Sequence, residues 1–197
     1  MYSVRYSAER GNNLGFAAVL LLLIVPIVLL ISCGGSGAGA VLQPPPNLVF
    51  VPASAPASGA VTLASGGGST GDLAVIDIEV TDVMDVHTAS FTLTYDSGVV
   101  GFIDFDTAGS HLGSDGTQLQ AIVQENSPGT LTVGLTRLGA TGIEFNGTEP
   151  LISIHFSRVA ATGTSSLDFV NFDLLDATAP PQPIPGIQWF GGSFQVN

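Results

Sequence analysis

Cys33 is the only thiol in this 197-residue chain, and the residues before it set its chemistry. Leu30-Ile31-Ser32-Cys33 reads as an aliphatic residue, a tolerant position, a small residue and a cysteine. That order is a bacterial lipobox. The thiol takes a diacylglyceryl group, and the small Ser32 side chain fits the peptidase that cuts before Cys33. Upstream, Arg5 and Arg10 lead into an apolar run from Phe16 to Ile31, the layout of a secretory signal. A lone cysteine also excludes an intrachain disulfide and any site built from two or more thiolates.

The other chemically capable residues are acids, three histidines and one tryptophan. Asp104-Phe105-Asp106, with His111 and Asp115 behind it, offers the oxygens that Ca²⁺ takes, but the twelve-residue EF-hand loop with its closing Glu is absent. Asp168, Asp173 and Asp176 form a similar run. Both read as solvating charge, and no metal or cofactor is expected. His87, His111 and His155 are too scattered for a zinc set, and His155 reads as a structural strand residue. No nucleophile stands with a base, and neither a Gly-x-Ser-x-Gly elbow nor a phosphate loop occurs, so catalysis is not expected. Asn146-Gly147-Thr148 is a glycosylation sequon that reads as chance beside a lipobox. Trp189 is out of phase with Phe190, Phe194 and Val196. If those three point inward, Trp189 points out, where a sugar ring can stack on it. Against this stand a bulge at Gly191-Gly192, which reverses the phase, and a partly buried edge Trp.

The formal net charge is −12, from 16 acidic and 4 basic residues, and Lys is absent. Beyond position 32 the only basic residues are Arg137 and Arg158. A surface that tracks phosphates needs clustered Lys and Arg, so nucleic acid is excluded as a partner. The expected organisation is a signal peptide over 1–32, a lipidated N-terminus and tether over 33–47, and one domain over 48–197. The tether, GGSGAGAVLQPPPN, is flexible at first and stiffens at Pro44-Pro45-Pro46. Two or three acyl chains on Cys33 hold a protein stably on a membrane, where one gives marginal binding. Gly34 stands where inner-membrane retention asks for Asp, so the expected location is the bacterial cell envelope, at the outer membrane or cell surface.

From position 48 on, short alternating runs are separated by Gly, Pro, Asn and Asp, the pattern of an all-β sandwich. Nine strands are expected: 49–51, 61–64, 73–83, 88–95, 118–124, 130–138, 150–159, 167–172 and 187–196. The run Thr88 to Tyr95 puts Ala89, Phe91, Leu93 and Tyr95 on one side and Thr88, Ser90, Thr92 and Thr94 on the other. Leu151 is opposite in phase to Ile152 and Ile154, which suits a strand buried on both faces. Ser65 to Gly71 reads as a hairpin loop.

FTLTYDSGVVGF (Phe91 to Phe102) resembles the strand near the start of cohesin domains that ends in Tyr-Asp-Pro, with Ser97 in place of the Pro. GATGIEFNGTEPLISIHFSRV (Gly139 to Val159) is similar to the cohesin Gly-rich loop and its Leu-x-x-Ile-x-Phe strand. GTSSLDFVNFDLLD (Gly163 to Asp176) and the terminal GGSFQVN match the segments that follow. The resemblance implies a nine-stranded jelly-roll β-sandwich, shared in fold with some carbohydrate-binding modules. It further implies a non-catalytic role in which a flat sheet face docks a helical, calcium-containing dockerin or another protein partner. The family's outward recognition positions, often Asn and Asp, fall on Thr88 and Ser90. Thr92 extends the same face, and His87 and Arg137 are expected at its border, Arg137 either as an anchor or paired with a surface carboxylate. The alternatives are a polysaccharide-binding module using Trp189, and a structural envelope lipoprotein.

Overall fold

The computed structural model describes residues 47–197. The expected signal peptide, Cys33 and the expected tether up to residue 46 lie outside the described residues. Strict alternation in the sequence becomes two stacked sheets. One has six strands, in the spatial order β1 (Leu48–Pro52), β11 (Gly192–Val196), β9 (Gly163–Leu175), β4 (Thr88–Tyr95), β7 (Thr130–Arg137) and β6 (Leu119–Ser127). The other has five: β10 (Gln188–Phe190), β2 (Ala60–Ser65), β3 (Leu73–Val86), β8 (Ile143–Arg158) and β5 (Val100–Asp106). Every pairing is antiparallel except β10 with β2. Among the described residues the helical content is one 3₁₀ turn, His111–Gly113.

The core forms where the two inner faces meet. Ala89, Phe91, Leu93 and Tyr95 of β4 are buried, as are Leu131, Val133 and Leu135 of β7. They face Ile76, Ile78 and Val80 of β3 and Ile152, Ile154 and Phe156 of β8, all buried. Aromatic contacts tie the layers together: Phe156 of β8 meets Tyr95 of β4 at 5.2 Å and Phe194 of β11 at 5.1 Å. Each fully buried Leu, Ile or Phe contributes ~1.5–3 kcal/mol, so a core of this kind needs no disulfide. Leu151 and Ile152 are both buried, but through a bulge: Ile78 pairs with Ile152 and Glu79 with Pro150, which leaves Leu151 as the extra residue. The outward Ser153 and His155 are half-buried, so β8 is not the expected strand buried on both faces. The Ser65–Gly71 stretch joins β2 to β3. The Gly66 amide donates to the Val75 carbonyl, and the Ser69 hydroxyl accepts from the Val75 amide.

The sequence pattern expected nine strands; the described residues form eleven. Val100–Asp106, expected in part as an acidic loop, pairs with β8 as β5, and a bulge lies between Phe102 and Asp104. The terminal run, expected as one strand, divides at Gly191, so that β10 joins the five-stranded sheet and β11 the six-stranded one. Glycine is required there. A Cβ on Gly191 would collide with the Leu167 carbonyl, and one on Gly192 with the Phe50 ring.

Candidate functional site

The outer face of the six-stranded sheet carries the residues expected to dock a partner. Pairing of β4 with β7 sets Thr88 against Thr136, Ser90 against Gly134 and Thr92 against Thr132. On the far side of β7, Gln120 meets Thr136, Ile122 meets Gly134 and Gln124 meets Thr132. Directly opposite residues share a face, so three rows cross β4, β7 and β6: polar rows Thr88-Thr136-Gln120 and Thr92-Thr132-Gln124, with Ser90-Gly134-Ile122 between them. The hydroxyls of Thr88 and Thr136 lie 2.8 Å apart and those of Thr92 and Thr132 3.4 Å apart, while Asn126 donates to Thr132 at 2.7 Å. Such cross-strand pairs hold side chains flat, each contributing ~0.2–1 kcal/mol.

The middle row has a gap. Gly134 has no side chain, and a Cβ built there meets nothing within 4 Å. The result is a shallow dent of about 300 Å³ bounded by Thr88, Ser90, Gln120, Ile122 and Thr136. Ile122 stands beside it with 59% of its surface exposed. An apolar side chain and a ring of hydroxyls around a notch suit a protruding side chain of another protein. Thr88, Ser90 and Thr92 lie on the outer face where the sequence pattern put them, and the structure sets Gln120, Ile122, Gly134 and Thr136 beside them, which the pattern did not single out. The signal was available: Gly134 is in phase with Thr132 and Thr136 on an alternating strand.

Arg137 is not on this face, which corrects its expected place as a surface anchor. It is 2% exposed. Its Nε donates to the Thr141 carbonyl at 3.1 Å, its Nη1 to the Leu112 carbonyl, and its Nη2 to Asp115 at 2.6 Å and Thr117 at 3.2 Å. Every arm of the guanidinium is therefore used to bind the 3₁₀ turn and the loop after β7 to the end of the sheet. That hydrogen bond to Arg137 is the main reason the Asp115 carboxyl is held well below its usual range, helped by bonds from Thr117. His87 does border the face, bonded to Thr88 at 3.1 Å and to the Gly139 carbonyl at 2.9 Å.

Trp189 takes the second of the two places weighed for it, partly buried on an edge strand rather than pointing outward. The break at Gly191 frees it from the phase of Phe194 and Val196. It packs on the core, 5.0 Å from Phe169 and 5.8 Å from Phe91, and Phe172 stacks on it at 4.9 Å with the rings 26° apart. The sugar-stacking face is thus occupied by Phe172, which β9 turns toward Trp189 after Asn171, a residue at φ +51.

The acidic groups do not converge. Asp104 pairs with His155 at 2.5 Å, Asp106 accepts from the Ala108 amide, and Asp115 is held by Arg137. Asp176 accepts from Thr178 and the Gln182 amide, and these bonds, the Thr178 hydroxyl first, lower its pKa. Among the described residues no group of three His, Cys, Asp or Glu side chains is placed to hold a metal ion.

No protein-family model matches the chain, and no curated protein sequence matches it. Solved structures do. The second type II cohesin module of the adaptor scaffoldin ScaA from Acetivibrio cellulolyticus superposes with a TM-score of 0.54 at 11% identity, over 74% of this chain and 89% of that one. The seventh type I cohesin of ScaB from Pseudobacteroides cellulosolvens gives 0.53 at 15% identity, over 68% and 88%. The sixth cohesin of scaffoldin B from Acetivibrio cellulolyticus, solved in complex with a Cel5 dockerin mutant, gives 0.50 at 15%, over 73% and 96%. The fold is therefore the cohesin-like jelly-roll sandwich.

Proposed function

We propose that this chain is a lipid-anchored, non-catalytic docking module of the bacterial cell envelope, and that the outer face of β4, β7 and β6 receives a dockerin-like protein. The observation that carries this reading is the notch at Gly134, set between Ser90 and exposed Ile122 on a hydroxyl-lined sheet face. The face holds several small donors and acceptors and one apolar contact, which suits a helical partner presenting a side chain into the notch. Similarity to cohesins, some solved with dockerins, supports the partner class. Fold alone does not fix function, so the site must be tested directly. Packing of Trp189 against Phe172 weakens the polysaccharide alternative.

The test uses the intact chain in detergent against purified dockerin modules from the same source, with calcium and with chelator. Calcium-dependent, saturable binding that is lost in Gly134→Arg and Ile122→Asp supports the reading. Equal binding by both variants, or none by the native chain, overturns it. Anchoring is read separately, as palmitate incorporation that disappears in Cys33→Ala.

A further inference from the structure

On the opposite sheet a second pocket is built around a hydroxyl with nothing to bond. Thr62 of β2 is 1% exposed, and its Oγ1 has no hydrogen-bond partner among the described residues. Buried polar groups are nearly always paired, so an orphaned one asks what completes it. Directly across the strand pair stands Glu79 of β3, half-buried. The chain after β1 arches over both, and Pro52, Ala53, Ala55 and Pro56 wall a pocket of about 430 Å³ that Thr62 and Glu79 line.

The charge in this pocket is uncompensated. Burial, and then the neighbouring Asp77, push the Glu79 pKa up. No cation of the domain is placed to relieve it. Arg137 is committed to Asp115 and Arg158 to Asp72, and Lys is absent from the chain. Asp77 accepts the Ser153 hydroxyl at 2.5 Å and supplies only more negative charge.

We infer that this pocket binds a primary ammonium group carried on a short apolar stem. The ammonium has three donors. One meets the Glu79 carboxylate and another the Thr62 oxygen, which is shielded in the pocket and comes within reach when the side chain rotates about χ1, while the stem lies along the proline and alanine wall. A partly desolvated carboxylate strengthens the charged hydrogen bond, and the apolar wall selects an amine with a hydrocarbon stem over ammonium itself. The inference is independent of the docking face, because it uses neither β4, β7 nor β6. Its ligand is a free alkylamine or a lysine side chain of another protein.

The experiment is an amide NMR titration of the intact chain in detergent micelles with n-butylammonium, n-butanol and the tripeptide Ala-Lys-Ala. Butylammonium is expected to shift Thr62 and Glu79 saturably, at least tenfold more tightly than butanol. Glu79→Gln should weaken it at least tenfold and Thr62→Val at least threefold, with Thr62→Ser retaining binding. Tighter binding of the tripeptide assigns the site to a lysine side chain, and tighter binding of butylammonium to a free amine; either supports the inference. No saturable shift, butanol equal to butylammonium, or unchanged affinity in Glu79→Gln overturns it. Thr62→Ser also reports folding, since it keeps the hydroxyl and removes only a methyl group.

Discussion

At the scale of single residues, Arg137 shows how a charge can be spent on structure. Its guanidinium satisfies the Leu112 and Thr141 carbonyls at a place closed to water. Replacing it with Met leaves both carbonyls unpaired. Arg137→Met should therefore destabilise the domain by ~3 kcal/mol, within the range for breaking a buried charged network, measured as a lower urea midpoint. A merely exposed Arg would change that midpoint by under ~1 kcal/mol. Its partner gives a pH dependence. Asp115 titrates below its ordinary value of 3.8 in the folded chain, chiefly because Arg137 donates to it. A lowered carboxylate pKa adds stability that is present above the unfolded value and lost as pH falls through the folded one. The urea midpoint should thus drop as pH is lowered below about 4, and Asp115→Asn should flatten that drop. Equal slopes in the two proteins would remove the Arg137 bond as its cause.

At the scale of elements, Gly134 sits in the middle of β7, where glycine ordinarily weakens a strand. A Cβ there meets only open space, so Gly134→Thr should raise stability by ~0.5–1 kcal/mol through strand propensity and lost unfolded-state freedom. The same change fills the notch and should weaken partner binding at least tenfold, a split that thermal unfolding and titration calorimetry read separately. Gly191 is the opposite case. Its missing side chain lets the backbone pass the Leu167 carbonyl as the chain crosses from one sheet to the other. Gly191→Ala should lower the unfolding midpoint and release the Trp189 stack on Phe172, seen as a red shift in tryptophan emission. These two glycines also mark what the sequence disclosed. The alternation of β3, β4 and β7 was plain because inward and outward residues differ in polarity. The division of the last strand was not, because Gly191-Gly192 interrupts a phase that Trp189 and Phe194 cannot both keep. Strand β5 was hidden for a related reason: Phe102, Asp104 and Asp106 straddle a bulge, which breaks the period that would have revealed it.

At the scale of the whole molecule, the charge has a sign without being concentrated where docking is proposed. The candidate face is made of Thr, Ser, Gln, Gly and Ile around the notch, while acids such as Asp168 and Asp173 lie along β9 at its side. The face was legible in the sequence as a polar row on β4, since that row needs only one strand. The notch was not, because it arises from residues of three strands brought into register, and the burial of Arg137 was not, because Leu112, Asp115 and Thr117, three of its four partners, lie 25, 22 and 20 positions away. A chain with a net charge of −12 surrounds that neutral contact with a negative field, which acts on approach more than on the bound state. A partner with a basic docking side should therefore associate faster at low ionic strength, while its dissociation, set by the notch and hydroxyl contacts, changes little. Raising salt from about 50 to 500 mM contracts the Debye length several-fold, so the association rate should fall at least tenfold and the dissociation rate by less than twofold. Stopped-flow measurement of the two rates checks this. An unchanged association rate would mean that the partner is not basic. A dissociation rate that rises in step with salt would mean that charges on β9, rather than the Gly134 notch, hold the complex together.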